Sequence, residues 1–138
     1  MTAKEKDDEE RRFGYTPKEC KEFMHLVNAQ FGFARVGLLL DVGHARNNAP
    51  FSGSHPIGAW YGEVGQHTLA YHIHQVEMND TKMENHMPIR GLYGPLISYC
   101  GFAYCWNRGI LNRAPVFLEI RGGKDMYSIS VDFFQGRS

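Results

Sequence analysis

The 138-residue sequence has little cysteine, no excess of charge of either sign and no long apolar run. Its three cysteines, Cys20, Cys100 and Cys105, are odd in number and form no CxxC pair. Neither a disulfide framework nor a zinc ribbon is indicated, and the three read as buried, inert thiols. Fifteen basic residues face fifteen acidic ones, so the cationic surplus that drives attachment to phosphate backbones or anionic lipid is missing. Nucleic acid and membrane are therefore not expected partners. Met1 to Arg12 carries no apolar stretch of the signal-peptide kind, and no apolar run has the length that spans a bilayer. A cytoplasmic protein is expected.

What is present is enough apolar material, 43% of residues, to bury a core. Residues 1–12 are almost all charged or small and read as a disordered tail; residues 13–138 read as one domain without internal repeat or linker. Thr16-Pro17-Lys18-Glu19 is a capping box with proline at the first helical position. Cys20, Phe23, Met24, Val27 and Phe31 follow at helical spacing, which predicts a helix from Pro17 to Gln30 stopped by Gly32.

Val36–Asp41 is a short, continuous apolar run ending in an acid, as suits a strand covered on both faces. Asn47 to Gly53 reads as loop, His55 to Val64 as a region holding a short helix, and Leu69–Gln75 as a second strand. The polar stretch Met78 to Asn85 reads as a further loop. Pro95 to Asn107, with Leu96, Tyr99, Cys100, Ala103 and Trp106 on one face, predicts a helix ending near Gly109. Pro115–Ile120 is a third buried strand, and Gly123 to Gln135 a last helix. Helices alternating with three strands predict a parallel α/β fold.

In such a fold the carboxyl ends of the strands gather on one rim, where ligands bind. Each predicted strand places a metal-type side chain there: Asp41, His74 and Glu119. Two carboxylates and one imidazole suit a divalent ion such as Mn²⁺, Mg²⁺, Co²⁺ or Zn²⁺, with a coordination position open to substrate or water. An acid ending one strand is commonly a cap or an ion-pair partner, so the metal reading rests on the three together. His25, His55 and His67 read as surface or boundary residues, and Glu77 as a loop acid with a possible part in orienting an imidazole.

Leu40-Asp41-Val42-Gly43-His44-Ala45, His72-Ile73-His74, Glu84-Asn85-His86-Met87-Pro88-Ile89 and Phe117-Leu118-Glu119 occur in that order at βα spacing. From Thr16 to Phe134 this series resembles the carboxy-terminal half of the xylose-isomerase-like barrels. Those include sugar and sugar-phosphate isomerases and epimerases, and endonuclease IV. The resemblance implies a partial (β/α)₈ TIM barrel of about three parallel strands with flanking helices, acting on a sugar or sugar phosphate. It implies Asp41, His74 and Glu119 as ligands of a weakly bound divalent ion, with Glu119 also catalytic. His44 falls on a substrate-side or second-metal position, and His86, with Glu84, on a motif that supplies ligands for a further zinc in endonuclease IV and a substrate-binding loop elsewhere; His72, on the same strand face as His74, either reaches substrate or fills the barrel interior. At Glu84 a glutamate stands where the family has aspartate.

A complete barrel has eight strands, against the three predicted here. The family's other metal-binding glutamate would precede the helix at Thr16, and only Glu119 of the acid/base pair is retained. The expected function is accordingly that of a truncated relative of metal-dependent isomerases and epimerases, with reduced or no activity alone. The alternatives are an isomerase or epimerase active when assembled as an oligomer or with a missing half, and an endonuclease IV-like phosphodiesterase using His44, His74, Glu84, His86 and Glu119. Three strands of a barrel leave open edges and an inner face, to which Leu39, Ile73 and Leu118 are assigned, so a homo-oligomer is expected.

Overall fold

A computed structural model describes residues 16–31, 36–46, 56–94 and 96–136. The charged segment 1–12, Gly32 and the loop expected at 47–53 lie outside the described residues. Helix α1 spans Pro17–Gln30. Its capping box is fully formed: the Thr16 hydroxyl accepts the Glu19 N–H at 3.2 Å, and the Glu19 carboxylate accepts the Thr16 N–H at 3.2 Å. Met24 is buried, and Cys20 packs against the core.

Strand β1 (Leu38–Asp41) runs directly into the short helix α2 (Val42–Arg46). Helix α3 (Ile57–Val64) leads through a 3₁₀ turn (Gly65–His67) into β2 (Thr68–Ile73). After the hairpin described below come α4 (Tyr99–Asn107), β5 (Val116–Leu118) and α5 (Lys124–Phe134). Helix α4 stops as its sequence predicts. Gly109 is left-handed at φ 74°, the Ile110 N–H reaches the Cys105 carbonyl at 3.0 Å, and the Gly109 N–H reaches that of Trp106 at 3.2 Å. This is a Schellman closure, which a residue with a Cβ would strain.

The parallel sheet has the order β1-β2-β5, with Asp41 beside His72 and His72 beside Phe117. Among the described residues it does not close into a barrel. Leu40, Tyr71 and Ile73 face the helices and are buried with Trp60, Tyr61, Val64, Tyr99 and Leu111. Tyr71 and Phe102 meet edge to face, with ring centroids 5.4 Å apart, and the Tyr71 hydroxyl donates to the Asn112 carbonyl at 2.6 Å. Each such buried side chain contributes about 1.5–3 kcal/mol.

Three sequence expectations are corrected. Met78 to Asn85 is not a loop: β3 (Gln75–Asn79) and β4 (Lys82–Met87) form an antiparallel hairpin turning at Asp80, whose φ is 55°. Strand β4 contains neither β-branched nor aromatic residues, so pairing with β3 creates it where propensity is silent. The assignment of Ile73 and Leu118 to an inner face is also reversed. Alternation from the paired residues Asp41, His72 and Phe117 places Ile73 and Leu118 under the helices, with Ile73 only 2% exposed. The uncovered face carries Leu39 (49% exposed) and Phe117 (52%) instead. The three cysteines form no disulfide and are half-buried rather than fully buried. Burial raises the thiol pKa of Cys20 and Cys105, which keeps both as weak nucleophiles.

Candidate metal centre

The carboxyl rim of the sheet collects every residue of the two candidate ligand groups. Asp41 ends β1, where its carboxylate accepts the His44 N–H at 2.9 Å and meets His44 Nδ1 at 2.9 Å. Burial alone would raise the Asp41 pKa. The hydrogen bonds from the His44 backbone and ring, with the electrostatic influence of the neighbouring imidazoles, outweigh it and leave the carboxyl pKa lowered. Glu119 follows β5, with its N–H on the Ile73 carbonyl at 3.0 Å and Oε2 3.0 Å from His72 Nδ1.

His74 lies just past β2 and has no exposed surface. Its peptide is fixed by one hydroxyl: Tyr99 Oη donates to the His74 carbonyl at 2.5 Å and accepts the His74 N–H at 3.1 Å. Its ring sits over Gly43, where a Cβ would lie 1.8 Å from Nε2. Both ring nitrogens are buried without a hydrogen-bond partner, and the closest acid, Asp41, is 3.9 Å from Nδ1. Burial, with the neighbouring imidazoles, holds the His74 pKa down to about 4 against the pull of Asp41. The ring is therefore neutral near pH 7 and keeps a lone pair for a cation.

His86 reaches the rim from β4 in a left-handed conformation, φ 61°. Its Nδ1 is 3.0 Å from the Glu119 carbonyl oxygen. A carbonyl can only accept, so Nδ1 carries the proton and Nε2 is left as the donor nitrogen. The His74 and His86 rings are 4.4 Å apart, and His44 stands 5.0 Å from His86 and 5.3 Å from His74.

Two groups of ligand atoms fall within 4.8 Å of one another: His74, His86 and Glu119, and Asp41, His72 and Glu119. The three residues expected as metal ligands thus share one rim but divide between two groups joined by Glu119. His72 and His86, assigned chiefly to the substrate side, each fall in one of the two candidate ligand groups, and the His44 side chain is exposed. Glu84 belongs to neither group; it is cross-strand from Glu77 and 3.5 Å from Asn79 Nδ2. A divalent ion fits what is here: mixed imidazole and carboxylate donors, and a buried ring with two unpartnered nitrogens. Nothing in the donor set selects one metal.

Sequence reasoning missed Tyr99, which looks like one more apolar-face residue of α4. No local signal marks a hydroxyl that will clamp a peptide 25 residues away. Among the described residues no helix is long and apolar enough to cross a membrane. Comparisons with protein-family models, curated proteins and solved structures found no match.

Proposed function

We propose that this chain is the carboxy-terminal part of a xylose-isomerase-like (β/α)₈ barrel, related to metal-dependent sugar or sugar-phosphate isomerases and epimerases, with reduced or no turnover alone. The observation that carries the reading is that Asp41, His74 and Glu119 stand at the carboxyl ends of three parallel strands, in two candidate ligand groups that share Glu119. Asp41, His74 and Glu119, joined by His72 and His86, would hold a divalent ion. When bound, the ion supplies Lewis-acid polarisation of a substrate carbonyl. His72 orients the Glu119 carboxylate through the 3.0 Å contact, and Glu119 takes the proton from the carbon beside that carbonyl. Exposed His44 stands where a sugar hydroxyl would enter.

Metal analysis after dialysis against Mn²⁺ or Zn²⁺ tests the centre. About one weakly held ion per chain is expected in the wild type, and less in Asp41→Ala and His74→Ala. Equal, near-zero metal in all three proteins would remove the basis of the proposal.

A second reading, activity in an assembly, is favoured by the uncovered sheet face bearing Leu39 and Phe117. Homo-oligomers pairing these faces would exclude water from the rim and add a second set of ligands. Epimerisation of a sugar phosphate that rises with protein concentration and is lost in Glu119→Gln would select this reading over the first.

A further inference from the structure

The opposite end of the sheet holds a second pair of histidines, distant in sequence and adjacent in space. His25 is exposed on α1, and His67 closes the 3₁₀ turn before β2. Their ring centroids are 5.4 Å apart with the planes at 78°. Both line a cavity of about 420 Å³ together with Asn28, Gln66 and Asn112.

The amides of that cavity are pinned by backbone. Asn28 exchanges both of its polar groups with Val36, at 2.9 and 2.6 Å. Gln66 Nε2 donates to the carbonyls of Gly109 and of Ile110, the latter at 3.0 Å. Asn112 Nδ2 donates to the Thr68 carbonyl at 2.9 Å. With their NH₂ groups engaged, Gln66 and Asn112 have carbonyl oxygens left to offer. The described lining contains imidazole nitrogens and amide oxygens, and no lysine or arginine.

We propose that His25 and His67 form a binding site for a borderline divalent cation of the Zn²⁺, Ni²⁺ or Cu²⁺ class, separate from the centre at the carboxyl rim. A tetrahedral ion bound to one nitrogen of each ring at about 2.0–2.1 Å sets the ring centres roughly 5 Å apart. The observed spacing of 5.4 Å is close to that, and the exposed His25 side chain has room to turn towards a shared ion. Imidazole pairs suit these ions, whereas Mg²⁺ and Ca²⁺ require the carboxylates that this cavity lacks. Two protein ligands leave the ion partly hydrated and the binding weak. The bound ion ties α1 to the turn that launches β2, so it raises the stability of the folded chain by mass action.

The test is Zn²⁺ titration of the full chain by calorimetry, with thermal unfolding in parallel, on wild type, His25→Gln, His67→Gln and Glu119→Gln. The wild type is expected to show two classes of bound ion. The weaker class and its share of the thermal shift disappear in His25→Gln and in His67→Gln, and both persist in Glu119→Gln, which loses the stronger class. Because His25 is exposed, His25→Gln decides the matter even if His67→Gln misfolds. A wild-type isotherm and thermal shift in His25→Gln would overturn the site whatever becomes of the rim.

Discussion

Leu40, Tyr71 and Ile73 on one face of the sheet, and Leu39, His72 and Phe117 on the other, come from the same sheet by simple alternation, yet they meet opposite surroundings. The first set is sealed under α3 and α4 within an aromatic layer. The second is half open, with its polar members crowded at one rim. Stability is therefore concentrated on the covered face and the candidate ligand groups on the open one. The rim of the open face can crowd imidazoles and carboxylates together because the other face holds the fold together.

The largest effect expected from breaking this division is Tyr71→Ala, which removes a buried ring and its hydroxyl contact to Asn112. A loss of about 3–5 kcal/mol is expected, read as a lower urea midpoint. A loss under ~1 kcal/mol would mean that the covered face is not the stabilising one.

The His74 imidazole gives the next largest effect. Its pKa is held to about 4 in the fold against about 6.5 in the unfolded chain. Between these values the unfolded chain binds more protons, so stability falls as pH drops from about 6.5 towards 4 and levels off below. The expected loss in metal-free protein is up to about 3 kcal/mol, visible as a falling urea midpoint across that window. The slope should disappear in His74→Gln; an equal slope in the variant would assign the titration elsewhere.

Tyr99→Phe strips the partner from both polar groups of the His74 peptide and should cost about 1–3 kcal/mol. It should also weaken metal binding, because the backbone under His74 is then no longer fixed. Unchanged metal affinity would show that the ring's packing over Gly43 suffices to place it. The smallest effect is expected from Phe117→Ser, within about 0.5 kcal/mol as for other surface positions. Light scattering sharpens this last case, since an assembly built through the open face would dissociate on that substitution while a monomer would not change.

Much of the framework was legible in the sequence because its signals are local. The capping box of α1, the apolar runs of β1, β2 and β5, and the glycine closing α4 each lie within a few residues and point to one structure. The hairpin was not legible, because Lys82–Met87 becomes a strand only through its partner. The two faces were confused for Ile73 and Leu118 because a continuous apolar run does not show which alternate members lie inward. At the rim, Asp41, His74 and Glu119 could be picked out as strand-end residues. Their division into two groups depends on His86, which a left-handed residue of the hairpin delivers, and on Tyr99, whose role exists only in three dimensions.

Within the described residues, His86 ties the hairpin to the segment that follows the last strand. His86 bonds the Glu119 carbonyl through its ring and the Arg121 N–H through its own carbonyl, the latter at 2.7 Å. Both partners lie more than thirty positions further along the chain, so these bonds close a long loop and cannot form until β5 has paired with β2. During refolding the ligand set is therefore completed last. The Arg121 amide should gain protection from hydrogen exchange after those of β2, and a metal ion added early in refolding meets His74 and His86 before Glu119 has joined them.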